Sequence, residues 1–331
     1  MKNTKLSDLK EKEIIQKLQR FMPTNQIKDD TALINSGNKN LIINTDAMVE
    51  GIHFTETTMQ PKDIGWKAII SNLSDLASSG ANKIIGCTIT IIAPKTTSWK
   101  WIENVYEGLS EGLKIYGGEI LGGDFCRGSE NVISITAFGI QGQLLMNRQY
   151  AKPGDYLVAT GAHGLSRLGL ALKTNEFTIK GLKLKKELKK QAIEKYKKPL
   201  ARLEIIELLT RTMPKNCSSK IACTDSSDGL FNAVENLCDS SNLKAQLDIK
   251  NLPRNKDWPK GELWDRWCLY GGEDYELILS LEPNWAKQFV HESEQSIIFG
   301  TMEAGKQEVE LLNVPYDKKN LIKNSEYKHF K

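Results

Sequence analysis

The sequence predicts an α/β protein with mixed α+β-type sheets, divided into two domains. Three observations carry this. The chain has 331 residues, too long for most single cores, so two domains of about 150 residues each are expected. Strand-like apolar runs alternate with helix-period segments through both halves, which argues for mixed layers. In "NRQYAKPGDYLVATG" a Pro-Gly turn separates two strand-like runs. The junction is placed near Arg148 to Lys152, giving domains 1–148 and 149–331.

Each element follows from its pattern. Leu6, Leu9, Ile14, Leu18 and Phe21 recur at helical spacing, so residues 5–21 read as an amphipathic helix rather than a signal peptide. "NLIINTD" is a strand. "PKDIGWKAIISNLSDLASSGA" is a helix: Pro61 and Asp63 suit its first turn, Ile64, Ala68, Ile69, Leu73, Leu76 and Ala77 keep the period, and Gly80 ends it. "KIIGCTITII" is a strand with Pro94 behind it. "SWKWIENVYEGLSEGLKIYGG" is a helix closed by Gly117 and Gly118. "EILGGD" reads as a strand stopped by a glycine turn, and "NVISITAFGIQG" as a further strand. After the junction come strand "DYLVATG", a helix from about His163, a lysine-rich helical stretch, and a helix near 200–212. Strand "KIACTD", a helix opening at Gly229, and strands "YELILSL" and "QSIIFGTM" follow.

Composition excludes several classes. Hydrophobic content of 40% and charged content of 26% fit an ordinary globular protein. The net charge of +4 is small. Nine lysines fall between Lys180 and Lys198, but no aromatic platform accompanies them. They read as a solvated helical face, with no nucleic-acid partner. The apolar runs fall far short of the roughly 20 residues that span a bilayer, so no membrane association and a cytoplasmic location are expected. The six cysteines contain no C-x-x-C pair, which fits reduced thiols and no structural zinc.

The chemistry lies in the acids. Asp29 and Asp30, Asp46 and Glu50, Asp124, and Asp225 and Asp228 each follow an apolar run with glycine nearby. Asp75 sits in a helical stretch among small residues. Ligand sites in open α/β sheets favour strand ends, so these acids are expected to converge. Several carboxylates in one cleft repel: unit charges 4 Å apart cost about 4 kcal/mol at an effective dielectric near 20. Either they protonate or a divalent cation neutralises them. Oxygen ligands without paired histidine or cysteine favour magnesium, and magnesium held by carboxylates usually serves a polyphosphate. Neither G-x-x-x-x-G-K-[ST] nor G-x-G-x-x-G is present. Any phosphate must therefore be held through metal, glycine-turn amides at Gly122 and Gly123, and arginines, with Arg127 and Arg148 as candidates.

At these residues the chain resembles a family. "NTDAMVEGIHF", "DIGWKAIISNLSDLASSGA", "LGGDFCRG", "AKPGD", "TDSSDGL" and "YGGEDYEL" are similar, in order and spacing, to the motifs of thiamine-monophosphate kinases. "SDLASSGA" and "GGD" are shared with the wider superfamily of aminoimidazole-ribotide synthetase and selenophosphate synthetase. The resemblance implies the two-domain aminoimidazole-ribotide synthetase-like fold and a homodimer formed through N-terminal domains that also carry the ATP and metal cleft. It implies transfer of the γ-phosphoryl of ATP to thiamine monophosphate, with several Mg²⁺ ions. By motif match, Asp30, Thr45, Asp46, Asp75, Asp124, Asp225 and Asp228 would ligate metal. Asn44, where the family commonly has threonine, would join them. Tyr106, Gly123, Asp124, Arg148 and Ser227 would contact ATP. His53 and Glu273 would contact thiamine monophosphate, and Asn324 falls where the family has a ring-stacking aromatic residue. Tyr327 and Phe330 lie near enough to substitute. Glu50 receives no role. No general base is implied, because the acceptor phosphate is already an anion.

Two other readings compete. A selenophosphate synthetase would carry a reactive cysteine in its N-terminal segment, and residues 1–28 have none; a hydrogenase-maturation relative would end in one, and this chain ends "HFK". A non-catalytic binder of nucleotide or thiamine phosphate would not need the full acid set.

Overall fold

The computed structural model describes residues 9, 11–21, 29–35, 37 and 39–317. The first half contains α1 (Glu11–Leu18), β1 (Ala32–Asn35), β2 (Asn40–Val49), α2 (Pro61–Ser78), β3 (Ala81–Ala93), α3 (Trp99–Tyr116), β4 (Glu119–Arg127) and β5 (Val132–Gln141). Its five strands form one sheet in the order β1-β2-β5-β3-β4, antiparallel except for β3 with β4.

The second half contains β6 (Leu145–Met146), β7 (Tyr156–Ala159), α4 (Leu165–Lys173), α5 (Lys186–Lys197), α6 (Glu204–Thr212), β8 (Lys220–Asp225) and α7 (Leu230–Ser241). There follow β9 (Lys244–Asp248), α8 (Glu262–Tyr270), β10 (Leu277–Leu281), α9 (Pro283–Glu292), β11 (Ile297–Glu303) and β12 (Glu308–Leu312). The second sheet runs β12-β9-β11-β7-β10-β8-β6, with parallel pairs at its two edges. Both sheets are mixed, as expected. No helix among the described residues is long and apolar enough to cross a membrane.

Helix α2 is the hinge of the architecture. Pro61 takes its first turn, where a missing N–H costs nothing, and Asp63 meets the positive end of the dipole. Of its residues only Pro61, Lys62 and Asp75 are not buried. One face packs on β2 and β5, another on α3, and a third reaches β8 and β10 of the other sheet. Its contact with α3 is backbone to backbone. A Cβ on Gly65 would lie 1.9 Å from the Val105 carbonyl oxygen, and one on Gly108 would lie 1.9 Å from that of Lys62. Asp75 thus leaves α2 at the seam between the sheets.

The structure departs from the sequence expectation in several places. "EILGGD" does not end at its glycines; β4 continues to Arg127. Gly122, at φ 154°, lies where the β3–β4 register shifts, and a Cβ on Gly123 would strike the Ile89 carbonyl oxygen at 1.9 Å. The pair therefore lets two strands close up. Asp46 and Asp124 lie within strands rather than at their ends, and only Asp225 closes one. Strands β1, β9 and β12 and helices α8 and α9 went unread, because short segments with mixed polarity carry little periodicity.

The lysine-rich stretch is less free than a solvated face. Lys185 pairs with Asp257, Lys195 with Glu276, Lys197 with Asp63 and Lys198 with Glu111. All six cysteines are free thiols, four of them buried.

Candidate active site

Asp30, Asp75 and Asp225 come together at the seam. One carboxylate oxygen from each lies within 4.8 Å of the others. They arrive from the turn before β1, from α2, and from the end of β8. The Arg148 guanidinium pairs with Asp30, and its Nε donates to Thr224 Oγ1 at 3.0 Å. Asn44 Nδ2 donates to Asp75 at 2.8 Å. Ser74 Oγ donates to Asp225 at 2.6 Å, and Ser227 Oγ does so at 2.8 Å. The adjacent Ser74 and Asp75 of α2 therefore brace and extend an acid from the other half.

The cluster is electrostatically unsatisfied. Burial, followed by the charges of Asp225, Asp30 and Asp46, holds the Asp75 carboxyl well above the usual range. Burial and Asp30 push Asp225 up to about 6. Desolvation by the surrounding protein pushes Asp46 to about 7 although the residue keeps an exposed surface, against a hydrogen bond from Ser71, with Asp225, Asp30 and Asp228 adding to the rise. Asp29 reaches about 7 through burial and Asp30, with Arg148 opposing. Asn44 Oδ1 is buried with no hydrogen-bond partner among the described residues. An all-oxygen donor set, excess negative charge and an orphaned carbonyl oxygen together fit a hard divalent cation such as Mg²⁺.

A pH dependence follows. A carboxyl whose pKa rises on folding binds its proton more tightly in the folded state. The destabilisation is absent below its ordinary value, 3.8 for aspartate, and grows until the folded value is passed. The metal-free protein is therefore expected to lose thermal stability as pH rises from about 4 to about 7, where Asp29 and Asp46 complete their titration. Adding Mg²⁺ at pH 7 should restore it. Melts with and without chelator across that window test this; a flat profile counts against it.

The other expected residues are distributed around the cluster. Thr45 points to the opposite face of β2 from Asn44, donating to the Ile135 carbonyl oxygen and accepting from Thr136. Asp228 is exposed just before α7, and Ser227 meets the GGED loop, its carbonyl oxygen accepting from Glu273 N–H at 2.6 Å. Asp124 and Gly123 are exposed on β4, Asp124 is not one of the three clustered acids, and Arg127 is exposed at the strand's end. Tyr106, on α3, lines a cavity of about 850 Å³ with Trp99, Phe125 and Lys62. His53 Nδ1 accepts the Val49 N–H at 2.9 Å, so a neutral ring carries its proton on Nε2. Asn324, Tyr327 and Phe330 lie outside the described residues. Glu50 now has a role: its Oε2 accepts from Asn131 Nδ2 at 2.9 Å, tying the ends of β2 and β5.

Sequence reasoning missed Lys67 and Tyr275. Lys67 is 1% exposed, its Nζ 2.5 Å from Glu273 Oε1 and 4.8 Å from the Tyr196 ring centroid. The signal was a lone lysine inside the apolar stretch of α2. Tyr275 is buried, and its phenol is pushed well up by burial and by Glu273, Asp46, Asp225 and Asp75. Glu273 and Tyr275 both hold left-handed backbone, at φ 57° and 51°, strain that a motif carries only when its surroundings enforce it.

The N-terminal domain model of AIR synthase related proteins matches residues 28–141, and the C-terminal domain model matches residues 152–311. A thiamine-monophosphate kinase of Prochlorococcus marinus is 46% identical over 91% of this chain and 90% of its own. One of Synechococcus elongatus is 38% identical over 87% and 86%. In fold, the chain matches a solved structure of AaThiL complexed with AMPPCP and TMP at a TM-score of 0.81, with 24% identity, covering 96% of this chain and 98% of that one. With its two domains matched in order and nearly its whole length aligned to these relatives, the chain belongs to the thiamine-monophosphate kinase family.

Proposed function

We propose that this chain transfers the γ-phosphoryl of ATP to thiamine monophosphate, giving thiamine diphosphate and ADP. The observation that carries the reading is the Asp30–Asp75–Asp225 cluster, built from both halves of the chain and over-charged without a cation. In this reading Asp30, Asn44, Asp46, Asp75, Asp225 and Asp228 ligate Mg²⁺ at the cluster, and Thr45, on the opposite face of β2, and Asp124, on β4, serve a separate Mg²⁺ ion. Magnesium, when bound, supplies neutralisation of the charge spread over the transferring phosphoryl group.

The chain's own residues position the two anions. Arg148 has donors beyond those given to Asp30 and Thr224, and these face the nucleotide phosphates beside Ser227. Tyr106, Gly123 and Asp124 belong to the nucleotide side. His53 donates from Nε2 to the acceptor phosphate, and Glu273 faces the thiazolium cation. Lys67 holds Glu273 in place until that cation arrives, so substrate and lysine share one carboxylate. No residue takes a proton from the acceptor, because a phosphate monoester is already anionic at neutral pH.

The enzyme is proposed to be cytoplasmic, to act on small molecules alone, and to divide near Arg148. It is proposed to pair with a second copy through β4, the outer strand of the first sheet, where Leu121 is 53% and Phe125 57% exposed.

The test is a product assay with thiamine monophosphate, ATP and Mg²⁺. Thiamine diphosphate should form only with all three. ATP consumption without that product overturns the reading. Asp124→Ala should lose at least about a hundredfold in turnover with the protein still folded and paired; turnover within a few fold of wild type removes Asp124 from the ligand set.

A further inference from the structure

His163 is fully buried, and no role assigned above uses it. Its ring lies between two partners. Nδ1 is 3.1 Å from the Gly161 carbonyl oxygen, and Nε2 is 2.9 Å from Ser226 Oγ. A carbonyl oxygen only accepts, so Nδ1 carries the proton and Nε2 accepts from the Ser226 hydroxyl. Ser226 Oγ in turn accepts the Glu276 N–H at 3.1 Å. Every donor in this chain of bonds meets one acceptor, and both side chains are at 0% exposure. Burial pushes the imidazole down to about 4, so the neutral form persists through the working range.

Three loops meet at this point. Gly161 and His163 belong to the loop between β7 and α4. Ser226 lies between Asp225 and the Ser227–Asp228 pair. Glu276 ends the loop that carries Glu273. Two further bonds span the same loops: Glu273 N–H to the Ser227 carbonyl oxygen at 2.6 Å, and Gly164 N–H to Asp274 at 2.6 Å. The metal-side and substrate-side loops are therefore pinned to each other, with Ser226 as the shared point.

We propose that His163 is a positioning residue: by fixing the Ser226 hydroxyl it holds the Asp225–Asp228 loop and the Glu273 loop in one register. It touches no substrate. The proposal rests on the kinase reading for its kinetic consequence, but the coupling of the loops does not.

The experiment compares His163→Leu, His163→Gln, Ser226→Ala and the His163→Leu/Ser226→Ala double variant. Leucine fills the space but leaves the Ser226 hydroxyl without an acceptor, whereas glutamine offers an oxygen near the place of Nε2. Expected are increases of about tenfold in KM for both thiamine monophosphate and Mg·ATP in His163→Leu and in Ser226→Ala, with the double variant no worse than either single one. His163→Gln should return to within about threefold of wild type. A merely structural role would lower the folded fraction and total turnover while leaving both KM values unchanged, and that result overturns the proposal. Equal losses in His163→Leu and His163→Gln also overturn it. If His163→Leu fails to fold, Ser226→Ala decides, since unchanged KM values there are equally fatal.

Amide exchange provides a readout free of activity. Residues 225–228 and 272–276 should exchange faster together in Ser226→Ala; acceleration of one segment alone refutes the coupling. Absence of thiamine diphosphate from the wild type would overturn the kinase reading and leave this exchange test standing.

Discussion

Asp75→Asn is expected to abolish turnover, by roughly 10²–10³-fold or more, while raising the melting temperature of the metal-free protein. The two effects have one cause. Asp75 lies with Asp30 and Asp225 inside 4.8 Å, and three carboxylates at that spacing repel unless protonated or neutralised. The amide keeps the shape and can still accept from Asn44 Nδ2. It removes the charge that a divalent cation would need. Relief of repulsion should raise Tm by roughly 2–4 °C, the shift about 1 kcal/mol produces in a domain of this size. Added Mg²⁺ should then stabilise the variant less than it stabilises wild type. Turnover within tenfold of wild type would take Asp75 out of the reaction. A lowered Tm would mean that its hydrogen bonds outweigh its crowding.

Glu276→Gln is expected to give the largest loss of stability, about 3–5 kcal/mol, or roughly 6–20 °C in Tm. Glu276 is 1% exposed and pairs with Lys195 at 2.5 Å and with Arg202 at 2.6 Å. Thr160 Oγ1 donates to it as well, at 2.8 Å. Glutamine leaves the largely buried Lys195 without a counter-charge and Arg202 with only the exposed Glu204, at 3.3 Å. Burial alone would raise this carboxyl, but Lys195 and Arg202 overcome that and hold it well below the usual glutamate range. Its contribution is thus complete above the ordinary glutamate value and is lost as pH falls through the folded one. This is opposite in sign to the aspartate cluster. In the metal-free protein the two should produce a stability maximum on the acid side of neutrality. A double variant, Glu276→Met with Lys195→Met, should be less destabilised than Glu276→Gln if unpaired charge is the cause. Equal loss would point to packing instead.

Much of the fold was legible. Helix α2 announced itself through Pro61, the spacing from Ile64 to Ala77, and Gly80, and it was found as Pro61–Ser78. Strands β2, β3, β5, β8, β10 and β11 were apparent as apolar runs of the right length. Segments with little apolar signal were not: β9 is "KAQLD", and α8 and α9 mix aromatic and charged residues. The glycines of β4 were read as a turn because sequence cannot tell a glycine needed for rotation from one needed for close packing.

The site was legible in kind but not in membership. The acids, the missing phosphate loop and the count of clusters led to a metal-bound polyphosphate. Which acids meet could not be read, because Asp30, Asp75 and Asp225 are joined only by the packing of α2 across both sheets. Asn44 is an example. In the sequence it was an unusual ligand; in the structure it donates one amide hydrogen to Asp75 and leaves its oxygen buried without a partner.

The sequence alone determined the class, the presence of two domains, the family and the oxygen-rich chemistry. These rest on local properties: periodicity, turn residues and side-chain donors. Only the tertiary structure decided that Lys67 faces Glu273, that Glu50 ties two strands together, and that His163 and Ser226 lock the loops. Each of those is a pairing between residues far apart in the chain. Such pairs are selected by burial, where a polar group must find a partner or forfeit its hydration, and burial is a property of the whole fold.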